Sequence, residues 1–117
     1  MDCIALVVSL LKDATELAGV PVSTEIPPTR ANRFIMVGLT GDESDLLILR
    51  PRVMLTVWGN SDVDAHGLAV TAYHVLAEAA QTHDTLSFVD LESMSRDEWT
   101  ANGQARYVVQ LNLTINT

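Results

Sequence analysis

The chain holds a single cysteine, Cys3, and a single lysine, Lys12, in 117 residues. One thiol cannot close an intramolecular disulfide, and nothing around it suggests a redox pair. A reduced, cytoplasmic setting is expected, with Cys3 a small core residue of a first helix. Only seven lysines and arginines stand against fifteen aspartates and glutamates, a net charge of −8. That scarcity of cations argues against nucleic acid held by phosphate neutralisation and against an anionic membrane surface. No apolar run reaches the roughly 18 residues of a membrane helix. The apolar stretch Ile4–Leu11 follows Asp2 rather than a basic segment, so a helix of the fold is expected there, not a secretory leader.

The motifs of chemistry are scarce as well. The six glycines are scattered, so there is no phosphate-cradling loop, and no serine sits in a nucleophile elbow. His66 and His74 are eight residues apart on one helix, two turns distant, too far to share a metal. Asp42/Glu43 and Asp97/Glu98 lie in turns, where nothing supplies the burial that raises one carboxyl pKa for acid–base work. The expectation is a non-enzyme with no cofactor and no metal.

What is present is an ordinary globular composition, 48% hydrophobic and 19% charged, sized for one domain over residues 1–117. The segment 2–18 has helical spacing, with Gly19 and Pro21 as a stop. Val20–Ile26 reads as a short strand near an edge, because of its proline. Residues 27–32 form a loop and 33–40 a second strand. Gly41–Asp45 is an acidic turn. A return strand over 46–58 is interrupted by Pro51, where a bulge or a free edge is expected. Ser61 opens a second helix, with Asp64 in a capping-box position. Thr85–Met94 is a weaker strand. The last strand, from Ala105 to Ile115, alternates cleanly. The order α-β-β-β-α-β-β implies an α+β fold, a mainly antiparallel sheet with two helices packed on one face.

Charge is uneven. Arg30, Arg33, Arg50 and Arg52 fall early, and most acids fall late. The charges read either as solvated faces or as cationic and acidic zones for head-to-tail association of copies. Trp58 and Trp99 read either as closures of the core edge or as interface anchors.

These features resemble the tail terminator (minor tail, tail completion) proteins of long-tailed bacteriophages and prophages. The likeness rests on an N-terminal helix leading to "GVPVSTEIP" (Gly19–Pro27) and on the strand "RFIMVGLTG" (Arg33–Gly41), similar to the family's "PFVxVxRxGG". The arginine-proline strand "RPRVMLTVWG" (Arg50–Gly59) is the most distinctive piece. A helix with Ala65, Leu68, Ala69 and Ala72 and the final "ARYVVQLNLTI" (Ala105–Ile115) complete it. The likeness covers nearly the whole chain. A departure is the short acidic turn at Asp42, Glu43 and Asp45. The resemblance implies a homohexameric ring at the tail–head junction of a virion, assembled in the bacterial cytoplasm. Such a ring ends tube polymerisation and contacts the tail tube protein and a head-completion protein. DNA passes through its lumen without specific binding, and no membrane is involved. Its expected subunit or tube interface is Arg30, Arg33, Asp42, Glu43, Asp45, Arg50, Arg52, Trp58 and Trp99, with Arg50 and Arg52 meeting acids of a neighbour. The alternatives are another head–tail joining or tube protein or, in a different class, a small-ligand-binding α+β domain or enzyme.

Overall fold

The computed structural model describes residues 3–26, 32–42, 44, 48–97 and 105–116. Helix α1 covers Cys3–Asp13 and buries Val7 and Leu11, one turn apart on a single face. It ends five residues before the expected Ala18. Ala14 is extended, and Thr15–Leu17 form one 3-10 turn that buries Leu17. The tighter turn is closed by Leu17 N–H donating to the Ala14 carbonyl at 3.2 Å and Val20 N–H to the Leu17 carbonyl at 3.0 Å. Gly19 then reverses the chain with φ +83, a backbone state that glycine adopts without steric cost.

Strand β1 (Val22–Ser23) pairs in parallel with β2 (Phe34–Asp42), Val22 opposite Ile35. Strands β3 (Ile48–Leu49) and β4 (Pro51–Trp58) are followed by helix α2 (Asp62–Thr82), then β5 (Leu86–Arg96) and β6 (Arg106–Asn116). Neighbouring strands run β1-β2-β4-β6-β5 across the sheet, and every pairing except β1 with β2 is antiparallel. The fold is thus α+β, as the patterning implies. Strand β3 lies beside β6 beyond the end of β4. Leu49 faces Ile115 and Arg52 faces Asn112, so the register along β6 is unchanged across the Arg50–Pro51 break. The interruption expected at Pro51 is therefore present, but the strand there is neither bulged against β6 nor at a free edge. Pro51 is the first residue of β4, where its missing N–H breaks no ladder bond inside the strand. The bulge lies instead on β2, between Leu39 and Gly41. The extra residue, Thr40, places its hydroxyl 3.2 Å from the Arg52 carbonyl oxygen.

One face of the sheet is the core. Ile35, Val37, Val53, Leu55, Val57, Val109, Leu111, Leu113 and Ile115 pack with Val7, Leu11 and Leu17 from the N-terminal segment and with Leu68, Ala69, Ala72 and Leu76 from α2. The buried alanines let the α2 backbone approach the strands closely. Each fully buried leucine or valine contributes about 1.5–3 kcal/mol relative to exposure. Helix α2 starts as its sequence suggests: Ser61 Oγ accepts from Asp64 N–H at 3.1 Å. The reciprocal bond goes one residue further back than in a capping box, since the Asp64 carboxylate accepts from Asn60 N–H at 2.9 Å. No helix among the described residues is long and apolar enough to cross a membrane.

Candidate functional site

Of the side chains picked from the sequence, Arg30, Glu43, Asp45 and Trp99 lie outside the described residues. The rest divide between two opposite ends of β2. Arg33 and Trp58 stand at its start, and Asp42, Arg50 and Arg52 at its finish. The nine-residue strand separates these groups by about 27 Å.

At the first end Trp58 pairs across strands with Phe34 on one side and Arg106 on the other. The Phe34 and Trp58 ring centroids are 5.7 Å apart and tilted by 58°, an edge-to-face type of contact. The Arg106 guanidinium carbon lies 5.7 Å from the Trp58 ring centroid, in cation–π range. Its head is ion-paired to Asp97. Trp58 is only 4% exposed, so it offers almost no surface to a partner, and with Phe34 it forms a buried pair apart from the main core cluster. Arg33 Nε meets Asp64 at 3.2 Å, and Arg96 Nε meets Asp62 at 3.1 Å. Asp64 therefore joins three things: the start of β2, the turn before α2, and the first turn of α2. Each such half-exposed pair contributes about 0.2–1 kcal/mol, enough to hold loops in place and not to define a fold.

These groups border an open cleft of about 420 Å³ lined by Asn32, Gly59, Asn60, Ser61, Asp62, Arg96 and Ala105. Its one serine hydroxyl, Ser61 Oγ, is engaged in capping α2. Among the described residues, the cleft carries donors and acceptors but no nucleophile beside a base. Next to it, the His66 ring sits 5.2 Å from Tyr107. Among the described residues, no three His, Cys, Asp or Glu side chains gather as a metal site requires.

At the second end Asp42 is tied to Ser44. Its Oδ1 accepts from Ser44 N–H at 2.8 Å and from the Ser44 hydroxyl. Ser44 Oγ in turn accepts from Arg50 N–H at 2.9 Å. The hydroxyl and amide of Ser44 hold the Asp42 carboxyl below the usual carboxylate range. A group with a lowered folded pKa supports the fold above its unfolded pKa, and that support is lost as pH falls through the folded value. Replacing Ser44 with Ala is expected to return the Asp42 carboxyl toward its ordinary range and to speed hydrogen exchange at the Arg50 amide. A carboxyl-detected NMR titration with amide exchange would check both. An unchanged Asp42 titration would show that Ser44 does not govern it.

Arg52, expected to reach a neighbouring copy, is paired within the chain: its Nη2 lies 2.7 Å from Glu92 of β5. A neighbour's acid would share the guanidinium with Glu92, since Arg52 has five N–H donors and its side chain is 41% exposed.

His83, to which the sequence attached no role, is the C-cap of α2. Its Nδ1 accepts from the N–H groups of Thr85 and Leu86, each at 3.1 Å, and so aims the chain from helix into β5. That geometry puts the ring proton on Nε2. The position directly after the last helical turn is the only sequence signal of this role. Among known proteins, no family model and no curated sequence matches this chain.

Proposed function

We propose that this protein is a structural ring subunit of the tail terminator type, which caps a finished tail tube and offers the face that docks the head. The reading is carried by the arginine-proline strand ending in Trp58-Gly59. It forms β4, the interior strand on which β2 and β6 both pair. The two segments that flank it in the resemblance, "RFIMVGLTG" and "ARYVVQLNLTI", supply those two neighbours. Charge adds support. With Asp62, Asp64, Glu92 and Asp97 engaged by arginines, Asp13, Glu16, Glu25, Asp42, Glu78, Asp84 and Asp90 remain as further exposed acids among the described residues. An acidic lumen repels the DNA backbone and lets it slide.

The ligand-binding alternative would rest on the polar cleft beside α2. A small-molecule site is usually concave, enclosed and mostly apolar. This cleft is open, and its hydroxyl is already occupied by helix capping.

Native mass spectrometry over a concentration series, with and without purified tail tubes, tests the proposal. A closed hexamer, free or on tube ends, is the expected species, and added protein should halt tube growth. A protein that stays monomeric and leaves tube length unchanged would refute the terminator reading.

A further inference from the structure

The register of the sheet sets four residues in one row across it. Leu39 of β2 faces Val53 of β4, Val53 faces Leu111 of β6, and Leu111 faces Leu91 of β5. The two middle members are fully buried. The two end members are not: Leu39 is 53% and Leu91 41% exposed. The row is apolar from edge to edge and stops in solvent at both ends.

Both ends lie on open strand edges. Strand β5 is eleven residues long and, among the described residues, pairs with β6 alone. Strand β1 covers β2 only at Ile35 and Met36, so the half of β2 from Val37 to Asp42 has no strand on its outer side among the described residues. Such edges are templates for another strand, and proteins usually blunt them with charge or keep them short. Strand β5 carries Asp90, Glu92 and two register shifts against β6, yet it also exposes a second large apolar side chain, Phe88, at 64%.

We infer that these edges form a head-to-tail, strand-to-strand contact between successive copies of this chain, with Leu91 of one copy seated against Leu39 of the next. The inference rests on the ring reading above and specifies its subunit contact. Strand polarity supports it. β2 is antiparallel to β4, β4 to β6, and β6 to β5, so β2 and β5 run in opposite directions. Copies that keep a common strand direction, as around a ring axis, bring β5 and the next β2 together antiparallel, the more stable pairing. Charge selects the same partner. Pairing β5 with its own copy about Leu91 would set Asp90 opposite Glu92, and like charges directly opposite destabilise a pair. Against β2, with Leu91 opposite Leu39, Asp90 and Glu92, the latter the bulged residue of β5, fall beside Gly38 and Thr40, the bulged residue of β2. Neither of these β2 residues is charged, and the space above Gly38 is open. The contact uses two different surfaces, so it is heterologous and closes into a ring when the rotation allows.

The test uses Leu39→Lys and Leu91→Lys, both at exposed positions, with circular dichroism to verify folding. Wild type is expected to associate, and each variant alone to be monomeric at concentrations at least tenfold above the wild-type midpoint. An equimolar mixture should form one-to-one dimers and nothing larger, since each variant keeps one good edge. Association unaffected by either substitution, or a mixture that yields no dimer, would overturn the strand contact. Wild type that remains monomeric up to about millimolar concentration would also overturn it, yet would leave tube-triggered capping standing. If a lysine variant does not fold, hydrogen exchange on wild type decides. Amides of β5 and of residues 37–42 should gain protection on concentration, and unchanged exchange there would reject the contact.

Discussion

Gly59→Ala is expected to lower the melting temperature of this domain by roughly 10 °C, through a loss of about 2–3 kcal/mol. The glycine links β4 to the turn before α2. A β-carbon built there would lie 2.4 Å from the Ala65 nitrogen and 2.7 Å from its α-carbon. Those atoms are helix backbone and cannot rotate away as a flexible side chain can. They are also pinned, because Ala65 N–H donates to the Ser61 carbonyl at 2.8 Å and Asp64 is tied to Ser61, Asn60 and Arg33. To admit one methyl group, the first turn of α2 must lift off the end of β4, loosening Ala65, Leu68 and Ala69, all of them buried. Gly67, inside α2, is the control. Nothing lies within 4 Å of its β-carbon position. Gly67→Ala should stabilise by about 0.5–1 kcal/mol, since glycine inside an exposed helix surrenders more backbone entropy than alanine. Thermal and denaturant unfolding of both variants checks the pair. Equal effects at the two positions would mean that the close approach at Gly59 is not a determinant of the fold.

The sequence carried the framework because each element buries one face. The alternation of Val109, Leu111, Leu113 and Ile115 against Gln110, Asn112 and Thr114 can arise only from a strand with one covered side. The Ser61–Asp64 spacing announced a helix start for a local reason, a side chain reaching the nearest free N–H groups. What stayed illegible is non-local. Arg33 finds Asp64 from 31 positions away and Arg52 finds Glu92 from 40 away. Nothing in the spacing singles out those acids among fifteen. Trp58 reads equally as an anchor or as core, because the deciding neighbours, Phe34 and Arg106, come from other strands. The early end of α1 is hidden for the same reason: helical spacing continues to Ala18, but burial of Leu17 is reached through a tighter turn. The row from Leu39 to Leu91 exists only once register is known, and a slip of one residue would send each member to the opposite face.

That row also sets the second large effect. Leu111→Ala should cost about 3 kcal/mol, as buried Leu→Ala changes do when the surroundings collapse only in part. A domain of this size has a total stability on the order of 10 kcal/mol, so roughly a third would be lost. Leu111 is fully buried and lies between Val53 and Leu91 on the helix-covered face, where β6 has strands on both sides. Leu91 is its neighbour in the same row, one strand further out and 41% exposed. Leu91→Ala should cost under about 1 kcal/mol of folding stability, because water already reaches much of the side chain and no cavity is sealed in. Urea unfolding at matched dilute concentration separates the two. At high concentration the order of interest reverses. Leu111→Ala leaves the outer edge of β5 chemically unchanged, whereas Leu91→Ala removes the side chain inferred to meet the next copy. A Leu91 variant that folds like wild type yet associates more weakly would place that side chain at the contact between copies. One that loses as much stability as Leu111→Ala would move Leu91 into the core and remove the physical reason for an open apolar edge.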